Sequence, residues 1–448
     1  MKQITYLKIL LCFFLVFSKS SGYAQWQTVG TAGFSAGNVF AMPIALDGSG
    51  TPYVAFMDYA NGSKATAMKF DGSNWQIIGS AGFSGGIADF IRLAVNTSGT
   101  PYVAYQDWST GNLQVTVKKF DGTIWQTVGS VGFTTGDPTS LSIAINGSGV
   151  PYIAYSDGMN NNKATVMKFN GTAWETVGSA GFSAGKTDWV SIAIDGSETP
   201  YVVYKDIFNS SQATVMKFNG SSWQLVGSAG FSAGTAENTS IAISNGATPY
   251  VVWKDAGMNE IKVKKFDGTA WQAVGGVVAG GSYPSIAIDG SGTPYIAYKD
   301  FNDNKANVQK FDGNAWQVLG SAGFSGGEIY HTSITVDSNG IPFVSYTDVD
   351  NGNKATVMKF VAITEINNRE SVTVSVYPNP VNNILKLEIP FTAALKLFNM
   401  QGQVVMEQNF VPGNYDFSVA HLSDGIYQLM IQGNTEAINK KIVIRRTQ

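Results

Sequence analysis

Cysteine is almost missing from this chain. Among 448 residues there is one, Cys12, inside an apolar run near the start. Beyond it no disulfide and no thiolate metal site can form, so stability must come from packing. Histidine is nearly as scarce, with two residues, too few for a histidine-based metal centre. Charged residues make up 14% and the net charge is −3. That balance argues against nucleic acid as a partner and against a polybasic membrane surface. A membrane-spanning helix needs about 20 apolar residues; the run Ile9 to Phe17 has nine. With Lys2 and Lys8 ahead of it and Gly22-Tyr23-Ala24 behind, it reads as a signal peptide over residues 1–24. Phe13 and Phe14 after Cys12 make a poor lipoprotein signal. No later stretch is long enough to span a membrane.

What is abundant is glycine, with 50 residues, and aromatics, at 12%. With Val, Ile and Thr they indicate short strands and tight turns. Four phrases recur in fixed order: "SIAIDGSG" (Ser285 to Gly292), "TPYIAYKD" (Thr293 to Asp300), "KATVMKF" (Lys163 to Phe169) and "WQLVGSAGFS" (Trp223 to Ser232). The tryptophans Trp26, Trp75, Trp125, Trp174, Trp223, Trp271 and Trp316 are spaced by 49, 50, 49, 49, 48 and 45 residues. Each phrase is strand-length, β-branched or aromatic, and bounded by Gly, Pro, Asn or Asp. Four strands per repeat of about 40–50 residues indicate propeller blades. The inner two phrases are apolar at nearly every position, as strands covered on both faces require.

Between the third and fourth strands stands Asp-Gly or Asn-Gly, as at Asp71-Gly72 and Asn170-Gly171, a strong hairpin signal. It occurs six times, not seven: after Phe360 the chain reads Val361-Ala362-Ile363, with no turn and no tryptophan. The seventh repeat therefore lacks its fourth strand, while Trp26 to Gly30 is a fourth strand with nothing before it. Pairing the two closes the ring and removes open sheet edges. The expected fold is all-β: a seven-bladed β-propeller over residues 25–361, closed by an N-terminal strand, a linker at 362–371, and a small Ig-like β-sandwich over 372–448. The segment Trp26 to Phe360 resembles seven-bladed β-propellers. Its Asp-Gly-x-x-Trp turn is similar to the Asp-box of sialidase-like propellers, but the spacing differs and the leading Ser is absent, so sialidase chemistry does not transfer.

The last 75 or so residues leave the repeat and alternate apolar and polar positions. They resemble the type A sorting domain of the type IX secretion system of Gram-negative bacteria. The matching residues are Tyr377-Pro378-Asn379-Pro380, Asn399 to Gln403 with Gly402, Asp424-Gly425-Ile426-Tyr427, and the basic end strand with Lys440, Lys441 and Arg445. The resemblance implies the type IX secretion machinery as a partner. It also implies export through the periplasm, then release or attachment at the outer-membrane surface.

Catalytic signatures are thin. The propeller has one arginine, Arg92, where sialidases need a cluster, and one histidine, His331. Asp58, Asp107, Asp157, Asp206, Asp255, Asp300 and Asp348 recur at the end of the second strand, which points to a structural Asx-type bond. No cofactor is expected; the loop Asp300 to Lys305 is the one oxygen-rich stretch to weigh for calcium. The recurring Phe34, Phe83, Phe133, Phe182, Phe231 and Phe324 are expected to pack between blades. Beyond them the repeats diverge, in loops expected on one rim. There lie Phe40, Asp89, Phe90, Asp137, Lys186, Asp188, Trp189, Glu237, Tyr283, Glu328, Tyr330 and His331, with Tyr59, Trp108, Phe208 and Phe301 on the loops after strand two. Variable aromatic and acidic side chains on a rigid frame suit glycan or surface-ligand binding. Lys205, Lys254 and Lys299, at one position in three blades, could favour an acidic polysaccharide. The expected function is an exported binding protein. The alternatives are a polysaccharide-cleaving enzyme using Asp89, Asp137 and Asp188, or a structural surface protein.

Overall fold

The computed structural model describes residues 25–361, 374–389, 392–432 and 437–446. The expected signal peptide and linker lie outside these residues. The chain divides into two compact units, the first ending at Ala362.

The first unit is built from seven antiparallel modules of four strands, the inner strand of the first broken in two and the fifth and sixth joined into one eight-stranded sheet where Ile261 pairs with Ala279. Blade 2 shows the plan: an inner strand Ala88–Val95, then Pro101–Asp107, Gln114–Phe120 and the outer strand Trp125–Thr127. The other inner strands are Val39–Phe40 with Ile44–Leu46, then Pro138–Ile145, Thr187–Ile194, Ala236–Ile243, Ala279–Ile288 and Ile329–Val336. Every second strand starts at its proline, where the missing amide costs no ladder bond. These second strands are the most deeply buried, each residue of Pro52–Asp58, Pro101–Asp107 and Pro151–Asp157 being covered. The inner strands alternate instead, because one face lines the axis of the ring.

Blade 7 has three strands of its own, and Gln25–Thr28 supplies the fourth. The register is antiparallel, with Trp26 opposite Phe360 and Thr28 opposite Met358. Each outer-strand tryptophan donates its indole N–H to the carbonyl of the residue just after the outer strand of the preceding blade. Trp75, Trp125, Trp174, Trp223, Trp271 and Trp316 reach Val29, Ile78, Val128, Val177, Val226 and Val274 at 2.7–2.8 Å. Trp26 completes the circle by reaching Leu319 at 2.8 Å. The recurring phenylalanines stack on the next blade's tryptophan, as Phe34 does on Trp75 and Phe133 on Trp174, both at 4.4 Å. At the axis, the Ser142, Ser191, Ser285 and Ser333 hydroxyls accept from the amides of Ile192, Ile241, Ile334 and Ile44. The last of these bonds crosses from blade 7 to blade 1.

The hairpin between third and fourth strands differs from the two-residue turn its sequence suggests. It is a four-residue loop: Trp75 pairs with Phe70, and Asp71 accepts from the Ser73 and Asn74 amides at 2.8 and 2.7 Å. The acidic residue acts through its side chain, and only Gly72 takes a positive φ, of 100°. The aspartates ending the second strand do take Asx-type bonds. Asp157 accepts from the Met159 amide, the Asn160 side chain and the Thr165 hydroxyl at 3.2, 2.8 and 2.9 Å.

The second unit is a sandwich of a three-stranded sheet (Ser375–Tyr377, Ile384–Ile389, Gly413–Ser418) and a four-stranded one (Val404–Phe410, Ala393–Phe398, Gly425–Gln432, Ala437–Ile444). Alternate residues such as Leu385, Leu387, Leu395, Leu397, Leu429 and Ile431 fill its core.

Candidate functional site

The inner strands begin further upstream than the repeated "SIAI" phrase suggests, and each of them from blade 2 to blade 7 carries a register shift close to its start. The shift falls between Asp89 and Arg92, Pro138 and Leu141, Asp188 and Ser191, Glu237 and Ser240, Ser282 and Ser285, and Tyr330 and Ser333. These are β-bulges, which re-aim a side chain. Within them Phe90, Trp189, Asn238, Tyr283 and His331 have φ of 47°, 49°, 50°, 53° and 52°, and Ala41 stands equivalently in blade 1 at 49°. A bulky residue with positive φ is strained, and here the strain recurs at one place in the repeat. Neighbouring blades help to hold it: the Thr239 and Thr332 hydroxyls donate to the carbonyls of Trp189 and Tyr283. From the sequence, Phe90, Trp189, Tyr283 and His331 are expected in loops. They are strand residues, turned toward the axis by bulges that hydrophobic periodicity does not reveal.

One cavity of about 480 Å³ lies on that axis, with residues of all seven inner strands around it. Phe40, Phe90, Trp189, Tyr283 and His331 line it, with Asp89, Arg92, Ser140, Asp188 and Asn238. Three rings form a continuous arc: His331 lies 4.5 Å from Phe40, edge to face, and 4.8 Å from Tyr283. Burial, with Arg92 and Lys299 adding to it, pulls the His331 pKa down to about 4, so the imidazole is neutral at neutral pH. Its Nδ1 is buried and has no hydrogen-bond partner. The carboxylates of Asp89 and Asp188 accept from the amides of Phe90 and Trp189 at 2.8 and 2.9 Å.

The other candidate residues lie apart. Tyr330 is beside the cavity, its ring 6.4 Å from His331, and Lys299 sits 4.5 Å over it. Trp108 begins a short 3-10 turn after the second strand of blade 2 and is about half exposed, outside the lining. Lys299 bonds Glu328 at 2.7 Å and Lys254 bonds Glu237 at 3.3 Å. Lys205 stands opposite Asp188 in the ladder. None of the three lines the cavity, and two are already ion-paired. Asp137 bonds the Gln106 side chain. In the loop weighed for calcium, Asp300 and Asp303 accept from the amides of Asn302 and Lys305 at 2.7 and 2.9 Å. Among the described residues no three His, Cys, Asp or Glu side chains converge on a metal-sized space.

Sequence reasoning passed over Arg92 and Asn238 as site residues. The signal was available. Arg92 holds the place filled by Ser142, Ser191, Ser240, Ser285 and Ser333 in five of the six other copies, and Asn238 the place of Trp189, Tyr283 and His331.

In the second unit, Asn379 of the Tyr377-Pro378-Asn379-Pro380 motif donates to the Lys441 carbonyl at 2.7 Å and accepts from the Val443 amide at 2.8 Å. The motif is thereby bonded to the terminal basic strand, from which Lys440 and Lys441 project to solvent. Gly402 has a φ of 78° in the turn that Asn399 caps. Gly425 opens a strand, and the Tyr427 hydroxyl donates to the Ser423 carbonyl at 3.0 Å, the bond of a tyrosine corner.

Residues 375–445 match the secretion system C-terminal sorting domain. The segment is the type IX sorting tail, which directs export to the cell surface or the medium and implies contact with the secretion machinery. No helix among the described residues is long and apolar enough to cross a membrane. No curated protein matches the chain in sequence. Among solved structures, an ulvan lyase of polysaccharide lyase family 25 is similar in fold, with a TM-score of 0.50 and 11% identity over 74% of this chain and 96% of that one. PorZ, a surface component of the type IX secretion system of Porphyromonas gingivalis, is similar over 88% of this chain and 68% of its own, at 12% identity and a TM-score of 0.36. A protein of unknown function from Dyadobacter fermentans is similar over 75% of this chain and 99% of its own, at 12% identity and a TM-score of 0.44.

Proposed function

We propose that the exported chain is a carbohydrate-binding protein whose ligand seat is the mouth of the propeller's central cavity. One observation carries this reading: the strained bulge position, repeated around the axis, holds Phe90, Trp189, Tyr283 and His331 and turns them into one cavity. A fold keeps strain at a repeated place only where the surroundings enforce it, and such places gather at ligand sites. Aromatic faces suit the apolar faces of sugar rings, while Asp89, Asp188, Asn238 and Ser140 offer partners for hydroxyls. A rigid ring with chemically different side chains at equivalent places is a binding frame. Surface or secreted location, set by the sorting tail, gives such a protein access to extracellular glycans.

The test is a glycan array probed with the exported chain and with Trp189→Ala and Tyr283→Ala. Binding that both substitutions weaken by tenfold or more supports the seat. Binding that neither changes removes it. New reducing ends or unsaturated products would favour the enzyme reading, for which Asp89 and Asp188 already line the cavity.

A further inference from the structure

We propose that the sugar held in the cavity carries an oxyanion, a carboxylate or a sulfate, and that Arg92 is its seat. This rests on the carbohydrate reading above and names the ligand class for the same site.

Arg92 is the one arginine between residues 25 and 361. It breaks the repeat at a position with a structural duty. At that place in blades 3, 4, 6 and 7 a seryl oxygen accepts from the next blade's isoleucine amide. A guanidinium has no acceptor atom, so the junction from blade 2 to blade 3 forgoes the bond. In exchange the cavity gains a cation. Its Nη1 donates to the Ile91 carbonyl at 2.9 Å. No carboxylate lies within 4.0 Å of it among the described residues, whose ion pairs all involve other side chains.

The nearby acids make no direct ion pair with it, and Asp89 acts on it only as a nearby charge. Asp89 and Asp188 direct an oxygen each to the bulge amides of Phe90 and Trp189. A charge held away from water without a partner is costly. Here burial lowers the guanidinium's pKa below its ordinary value, with Asp89 offsetting only part of the effect. An incoming group with two oxygens on one centre fits the guanidinium fork, as a lone hydroxyl does not. The other cations leave this role open. His331 is neutral at neutral pH, and Lys254 and Lys299 are bound to Glu237 and Glu328. The Phe40–His331–Tyr283 arc starts on the adjacent blade 1, so a ring on that arc can direct an acidic substituent to Arg92.

The experiment is affinity electrophoresis of the full chain through gels holding matched polysaccharides. One pair is polygalacturonate and its methyl ester; a second is glucuronan and its carboxyl-reduced form; a third is carrageenan and its desulfated form. Retention by an acidic member at least tenfold above its neutral partner is expected, and the pair that shows it tells carboxylate from sulfate. Arg92→Ser installs the repeat's own residue and so should fold. It should lower that retention tenfold or more, with Arg92→Lys intermediate and Lys168→Gln unchanged. Equal retention by neutral and acidic members, or retention indifferent to Arg92→Ser, overturns this inference while leaving a carbohydrate seat in place. No retention by any polysaccharide overturns both.

Discussion

The indole nitrogen of Trp26 donates to the carbonyl of Leu319 at 2.8 Å, across 293 residues of chain. The same ring stacks on Phe324 at 4.2 Å and meets Phe360 edge-on at 5.6 Å. One residue near the start of the propeller thus joins blades 6 and 7. Trp26→Ala should cost about 3–5 kcal/mol, as a buried large-to-small aromatic change does. Removing residues 25–30 should do more, because it also bares the edge of Lys354–Val361. Thermal unfolding and light scattering are the measurements: the melting temperature should fall and aggregation rise. An unchanged melting temperature for both variants would mean the strand is dispensable.

Gly178 tests the packing between blades. Its φ is +73°, and a Cβ there would lie 2.9 Å from Phe218 and 3.1 Å from Trp223. Gly178→Ala should destabilise by well over about 1 kcal/mol, since backbone strain and ring clash add. Gly122 has a φ of +102° and an open surrounding, so Gly122→Ala should cost less. Chemical denaturation of the two variants gives the ordering, and a reversed ordering would contradict the packing described.

Asp157 serves one hairpin with three bonds, the Thr165 hydroxyl among them. That hydroxyl in turn accepts from the Gly181 amide at 2.8 Å. Asp157→Ala strands a buried hydroxyl and should cost about 1–3 kcal/mol. Added calcium should not restore the loss. A rescue by calcium would show that these recurring aspartates hold ions.

His331 gives a pH dependence. Its pKa falls from 6.5 to about 4 on folding, chiefly through burial. Below pH 6.5 the unfolded chain takes up a proton that the folded chain refuses, so stability is full above pH 6.5 and drains away as the pH falls toward 4. The loss is about 2–3 kcal/mol. His331→Gln should flatten this part of the stability curve, measured by denaturation between pH 4 and 7. A curve identical to that of the unchanged protein would show that the imidazole is not desolvated.

Much of the frame is legible in the residues. The spacing of the tryptophans and the missing seventh turn are enough to join Trp26 to Phe360, because a propeller blade has four strands and one was short. The phenylalanine–tryptophan stacks follow from their equal recurrence. The site is less legible, for a physical reason. Its residues sit on β-bulges, which have no hydrophobic period, and a bulge residue is recognised only from backbone geometry. Trp189 and Tyr283 are visible as irregular aromatics, but nothing in sequence separates them from Trp108, which points elsewhere. Lys254 and Lys299 look like free cations until Glu237 and Glu328 are seen beside them. Arg92 is isolated in composition, and its meaning appears only when the serine it replaces is found stitching the ring.

Ring closure gathers all these side chains around one axis, and it can be tested by cross-linking. The only cysteine is Cys12, so a pair placed at Gln27 and Lys359, directly opposed in the closing sheet, reports without interference. Opposed antiparallel residues have Cα atoms about 4.5–5.5 Å apart, within the reach of a disulfide. Gln27→Cys with Lys359→Cys should oxidise to a covalently circular propeller that migrates differently on non-reducing gels and melts higher. Absence of the cross-link in folded protein, with both thiols still free, would contradict the closed ring and the cavity it encloses.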